Sequence, residues 1–218
     1  MNKRAQRADI KRRSPRQKRA AETVAAIFEA TAQILQREGR DHLSTNRIAE
    51  RAGVSIGSLY QYFPDKNAIL VALARREFAK GEAAALAAIA AAQGLPLEER
   101  TRRVIRALIA TFETRHRVRR HLLETLLAQG LHQELMRPVE AIAQAIAQRA
   151  ADIAPQLDPQ SAPVRLFVLT RAVTGVIRAA VMEESPVLAS PRFEEELVAL
   201  VNSYANHILA GALATAKR

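Results

Sequence analysis

The 218-residue chain contains no cysteine and no tryptophan, and aromatic residues make up only 4% of it. Without cysteine there are no disulfides and no thiolate metal sites, a composition that suits a reducing cytoplasm. Without tryptophan and with few other aromatics, an aromatic cage for cationic ligands is disfavoured. No run approaches the roughly 20 apolar residues needed to span a bilayer, and the opening residues have no apolar signal core. The expectation is a soluble cytoplasmic protein with no stable membrane insertion. The five histidines, His42, His116, His121, His132 and His207, form no i, i+4 pair and no HExxH pattern, so a zinc hydrolase site is unsupported. Glycine-rich phosphate loops and serine-elbow motifs are also missing. These absences argue against an enzyme, a metal site or a bound cofactor.

What is present favours a folded, all-α chain. The hydrophobic fraction is 49%, alanine is abundant, and β-branched residues are scattered rather than clustered. The length suits one large or two small domains. The net charge of +11 is unevenly placed: residues 1–19 carry nine Lys/Arg and one acid, whereas residues 20–66 are close to neutral. Such an arm, including Lys11, Arg12, Arg13, Arg16, Lys18 and Arg19, is predicted to be disordered when free and to lie along phosphates or enter a minor groove. A solubilising tail, attraction to an anionic membrane and an Arg-rich transit peptide are the alternatives.

Residues 44–66, STNRIAERAGVSIGSLYQYFPDK, read as two short helices joined by a glycine turn. Ser44 is placed to cap the first, and Ile48, Ala49 and Ala52 form its apolar face. Gly53 supplies the left-handed residue that ends it. Ser55 caps the second helix, where Leu59 and Phe63 at i, i+4 face a core and leave Gly57, Ser58, Tyr60, Gln61 and Tyr62 outside. Pro64 stops that helix, and Asp65 caps a long one from Lys66. A major groove admits one such helix, whose first residues reach the base edges. Here those are Ser55, Ile56, Gly57 and Ser58. Ile56 suits a thymine methyl, the serines a base or phosphate, and Gly57 a close backbone approach. Lys66 beside a helix N-terminus makes a doubly positive anion site. Arg47 reads as a surface residue bracing an acidic neighbour.

The combination of Thr45, Arg47-Ile48-Ala49, Ala52-Gly53-Val54-Ser55, Gly57-Ser58-Leu59-Tyr60, Tyr62-Phe63 and Lys66 resembles the DNA-binding signature of TetR-type transcriptional repressors. The close match covers roughly residues 20–70; the remainder resembles that family only in length and helical character. The resemblance implies that Thr45, Tyr62 and Lys66 hold phosphates, that Tyr60 and Gln61 touch bases or backbone, and that the protein is a homodimer on a palindromic duplex. It also implies a small ligand, enclosed by later helices, that shifts the spacing between two heads and releases the repressor. The implied organisation is a basic arm at 1–19, a three-helix head with the helix-turn-helix at 20–66, and a helical regulatory and dimerisation body at 67–218, with about nine helices in all.

Apolar periodicity places further helices at about 18–38, 66–93, 97–116 and 118–129, from after Pro138 to 153, and at 163–184 and 191–214. Ala172, Gly175 and Ala179 put small side chains on one helical face beside Val173, Val176, Ile177 and Val181, a pattern that fits either association or internal packing. Candidate pocket residues are Phe112 and the polar groups that interrupt apolar faces: Thr111, His116, His121, Glu124, Thr170, Thr174 and Arg178. A mainly aliphatic cavity would suit an acyl chain or another apolar metabolite. Two rival functions remain open at this level, a DNA binder of architectural type relying on the arm, and a peripheral membrane or protein-interaction module.

Overall fold

The computed structural model describes residues 15–113, 115–153 and 160–215. Nine α-helices are present among them: α1 (Pro15–Arg37), α2 (Thr45–Ala52), α3 (Ile56–Tyr62), α4 (Lys66–Ala91), α5 (Leu97–Glu113), α6 (His116–Ala128), α7 (His132–Ile153), α8 (Ala162–Met182) and α9 (Pro191–Thr215). Short 3-10 turns occupy Arg40–His42 and Pro186–Ala189, and the described residues contain no strand. The all-α expectation is borne out. The chain divides into two compact units, one ending at Ile69 and the other beginning at Leu70.

In the first unit, each helix boundary has a local cause. Ser44 Oγ accepts the Arg47 N–H at 3.3 Å, Ser55 Oγ accepts the Ser58 N–H at 3.0 Å, and Asp65 Oδ1 accepts the Ala68 N–H at 2.8 Å. Between the first two caps, Gly53 sits at φ 67°, ψ 30°, where a Cβ would be strained. The core these helices enclose includes Ile27, Ile34, Leu35, Ile48 and Leu59, all fully buried, with the Phe28 and Phe63 rings 5.7 Å apart. Thr31 is buried on the apolar face of α1, and its hydroxyl donates to the Ile27 carbonyl at 2.8 Å. Helix α1 starts at Pro15, three residues before the position expected from periodicity. Proline at a first helical position loses nothing, because that N–H has no intrahelical partner. Arg16, Lys18 and Arg19 therefore lie on the helix rather than in a free arm.

In the second unit, α5 and α9 run antiparallel: Thr101 Oγ1 donates to Asn202 Oδ1 at 2.9 Å, and Arg106 forks onto Glu194 at 3.0 and 2.8 Å. Ala85 and Ile89 of α4 meet Ile142 of α7, with Val104, Leu108 and Ile146 around them. Helix α7 differs from the expectation of a start after Pro138. It begins at His132 and keeps Pro138 inside, at the cost of one backbone hydrogen bond. Leu135, Val139 and Ile142 explain why, since all three are buried at helical spacing and only a continuous helix seats them together. Helix α8 buries Val173, Ile177, Ala180 and Val181. Its other side leaves Val164, Phe167, Val168, Gly175, Val176 and Ala179 exposed.

Replacing Leu59 by Ala is expected to cost about 2–5 kcal/mol of stability, the range for emptying a tight leucine site. Urea unfolding followed by circular dichroism checks this, with Gln61→Ala on the exposed face expected to stay within about 0.5 kcal/mol of the parent.

Candidate functional site

Helix α3 is amphipathic within seven residues. Leu59 faces inward, while Ser55, Ile56, Gly57, Tyr60, Gln61 and Tyr62 are exposed and Ser58 is half-buried. Ile56 is 38% exposed, Tyr60 51% and Tyr62 39%, so these three large side chains present apolar area to solvent instead of filling the core. The Tyr60 hydroxyl lies 3.2 Å from Thr45 Oγ1, which ties the start of α2 to the outer face of α3. Ser55 Oγ and Ser58 Oγ are 2.8 Å apart, and the Ser55 oxygen also caps the helix. Lys66 donates from Nζ to the Leu43 carbonyl at 3.2 Å, which fixes the ammonium at the first residue of α4 and leaves two of its three donors for other partners.

Gly57 has no internal explanation. Its φ is not in the left-handed region, and a Cβ built on it would meet only Ser55 Oγ, at an ordinary 3.9 Å. Arg47 is turned away from this face: it ion-pairs with Glu38, and its Nη1 donates to the His42 carbonyl at 3.3 Å. Arg51 completes the cluster, 3.0 Å from the other Glu38 oxygen. Partial burial pushes the Glu38 carboxyl up, but the two guanidinium groups outweigh it and hold the group below the ordinary carboxylate range. Of the basic arm, Lys11, Arg12 and Arg13 lie outside the described residues; Lys18 and Arg19 are exposed on α1, and Arg16 is on the same helix.

The second unit holds a cavity of about 630 Å³, walled mainly by aliphatic side chains such as Ile89, Val104, Ile146, Leu166 and Ile208. A smaller space of about 70 Å³ shares Leu108, Ile142 and Thr174 with it. The predicted pocket residues divide. Thr170 and Thr174 line the large cavity, and Phe112, Thr174 and Arg178, with Thr111, line the small one. His116, His121 and Glu124 line neither. Helix α6 turns Val118, Leu122 and Leu126 inward, which leaves Glu124 to pair with Arg120 at 2.9 Å and with His121 at 3.2 Å, and His116 exposed. The threonine hydroxyls are already engaged, Thr170 donating to the Leu166 carbonyl at 2.7 Å and Thr174 to the Thr170 carbonyl at 2.6 Å. Sequence reasoning missed Arg100, Arg149 and Arg165, which line the large cavity. A signal for Arg100 existed, because it falls three residues after Leu97 and four before Val104, on the same helical face.

A three-helix unit whose third helix, after a glycine turn, is capped and exposed, followed in sequence by a helical unit that holds an apolar cavity, defines a helix-turn-helix DNA-binding regulator. Residues 27–73 match the family model of bacterial regulatory proteins of the tetR family, and residues 96–204, half of the chain, match that of the tetracyclin repressor-like C-terminal domain. The chain belongs to the TetR family, a family of regulators and not of enzymes. Over 65 residues it is 43% identical to the HTH-type transcriptional repressor KstR of Mycolicibacterium smegmatis, covering 28% of this chain and 32% of that one. The matched stretch spans between about a quarter and a third of the length of the curated relatives. Among solved structures, a Mesorhizobium loti chain assigned to the TetR family superposes with a TM-score of 0.68 at 17% identity, over 88% of this chain and 97% of that one. The fatty acid degradation regulator FadR of Bacillus halodurans gives 0.58 at 16% identity, over 86% and 94%. At these identities the structural likeness concerns the fold. Among the described residues, no helix is long and apolar enough to cross a membrane, and no group of three or more His, Cys, Asp or Glu side chains could hold a metal ion.

The Glu38 cluster has a pH signature. Because its folded pKa is depressed, its contribution is present above the unfolded value of about 4.3 and is lost as pH falls through the folded one. Thermal melts between about pH 5 and pH 3 are expected to fall less steeply for Glu38→Gln than for the parent, with the variant melting lower near neutrality.

Proposed function

We propose that this chain is a homodimeric, sequence-specific repressor that leaves a palindromic operator when a small apolar ligand occupies its body. The observation that carries the DNA-binding part is the start of α3: capped, exposed, and bearing a glycine at 57 that nothing inside the protein requires. Close approach of the backbone to base edges supplies the missing reason. In this reading Ser55, Ile56 and Ser58 read bases, with Tyr60 and Gln61 beside them, while Thr45, Tyr62 and Lys66 hold phosphates and fix the register. The basic residues of 1–19 provide long-range attraction that the nearly neutral residues 20–66 lack.

Two further features support the regulatory part. The exposed side of α8 carries Val164, Phe167, Val168 and Val176, and α9 exposes Leu200, apolar side chains of the kind a two-fold partner covers. The large cavity falls within the usual range for ligand sites, and a ligand regulates by binding the two spacings of the heads with different affinity. Repression, rather than activation, agrees with the name of the Mycolicibacterium relative. The domain roles are then a basic segment at 1–19 whose last five residues open α1, a reading head at 20–66 and a regulatory and dimerising body at 67–218, in a protein that works in the cytoplasm.

Selection of bound duplexes from a random pool, followed by affinity measurements at matched salt, tests the proposal. A palindromic site bound about 10³-fold or more above random duplex is expected; a ratio near one sinks sequence-specific repression and leaves an architectural binder. The double variant Tyr62→Ala, Lys66→Ala is expected to remain dimeric by sedimentation, to lose operator affinity, and to show a salt dependence shallower by about one to two phosphate contacts. Gly57→Ala is expected to unfold within about 1 kcal/mol of the parent yet bind operator at least about tenfold more weakly, since its methyl group meets only the duplex.

A further inference from the structure

We propose that the large cavity takes an anionic amphiphile, a linear aliphatic chain ending in a carboxylate or phosphate, and that Arg100 holds the anionic head. The inference rests on the reading of this cavity as the ligand site and adds the chemistry of the ligand to it. Three arginines, Arg100, Arg149 and Arg165, line the cavity, and among the described residues no Asp or Glu does. An arginine does not shed its proton inside a protein, so its positive charge must be answered by an acceptor or by water. At Arg100, a half-buried residue, one donor is left over: the Nε atom is buried with no hydrogen-bond partner.

The acids of the same helix are committed elsewhere. Glu98 pairs with Arg102 at 3.0 Å, and Glu99 with Arg103 at 3.0 Å. The described hydrogen bond of Arg149 goes to its own helix, from Nη1 to the Ala145 carbonyl at 3.1 Å. Arg149 lies four residues before the end of α7 and Arg165 three after the start of α8, so both flank the link between these helices. Among the described lining residues a cation would meet only like charge, and a neutral hydrocarbon would leave Arg100 as it is. An anionic head answers the unpartnered Nε with a charge-assisted hydrogen bond, and the fork of the guanidinium offers it a second. The aliphatic walls take the rest of the molecule. A cavity of 150 Å³ holds one benzene, or ~25 Å³ per carbon, so 630 Å³ accommodates chains of up to ~25 carbons.

The test uses the purified full chain and three probes of equal tail length below their micelle concentrations: dodecanoate, dodecyl phosphate and dodecan-1-ol. Calorimetric titration is expected to show at least one anion binding about tenfold or more tightly than the alcohol, the scale of one charge-assisted forked pair. Which anion binds more tightly distinguishes a carboxylate head from a phosphate head. Arg100→Met is expected to bring anion and alcohol to within about threefold while leaving the alcohol affinity in place, and Arg100→Lys to keep part of the preference. Equal affinity of the three probes for the parent chain, or no binding of any, overturns the proposal without reference to a variant. A full anion preference retained in Arg100→Met overturns the assignment to Arg100. The same samples are titrated against operator duplex. Anion binding that leaves DNA affinity unchanged removes the release mechanism proposed above and keeps the anionic ligand, whereas equal probe affinities with operator released by the bound probes do the reverse.

Discussion

Helix α3 has seven residues, too few to hold a helix in water by its own hydrogen bonds. Everything the reading surface does therefore depends on Leu59 and Phe63, which dock it onto the core of the first unit. The cost of ordering the exposed side chains is met by burial on the opposite side of the same two turns. The Ser55 cap sets where those turns begin, and the Phe28–Phe63 contact sets how they are oriented about their axis. The start of α3 presents small groups, Ser55, Gly57 and Ser58, held rigidly by the cap, rather than long side chains that reach. Ile56 is the exception, an aliphatic group kept in solvent at some cost.

Charge is handled differently in the two units. In the first, Glu38 gathers Arg47 and Arg51 into a cluster that fastens the end of α1 to α2, so two arginines beside the reading helix are structural. In the second, Arg119 is buried against Glu77 and lies 5.1 Å over the Phe112 ring, with its pKa lowered by burial. That group has partners; the Nε of Arg100 has none. The contrast separates an arginine whose guanidinium meets partners within the fold from one with a buried donor left over.

How much of this was legible in the sequence follows from the range of the interactions. The head was legible almost residue by residue, because caps, the glycine turn and the i, i+4 core pair at Leu59 and Phe63 are local and act within one or two turns. The start of α7 was not, since a proline reads as a boundary unless the distant surfaces that seat Leu135, Val139 and Ile142 are known. The pocket residues were legible only in part. Thr170 and Thr174 share a face and reach the cavity, but the orientation of α6, which turns His116, His121 and Glu124 away, is set by contacts far along the chain. Arg100 was visible on an apolar face, but its lack of a partner is a property of three dimensions.

The register between α5 and α9 is held by two unlike contacts eight residues apart on α9, the Thr101–Asn202 hydrogen bond and the Arg106–Glu194 fork. Sliding one helix along the other would break the Thr101–Asn202 bond, whereas Glu194 also lies 3.6 Å from Arg102, one turn before Arg106 on the same face of α5, and so keeps a cation within reach. The pair therefore resembles a ratchet: one turn of slip trades one arginine for another at the acid and leaves the hydroxyl without its amide. The exposed Leu200 lies on α9 between these two contacts, so the place it takes on the surface is tied to the same register.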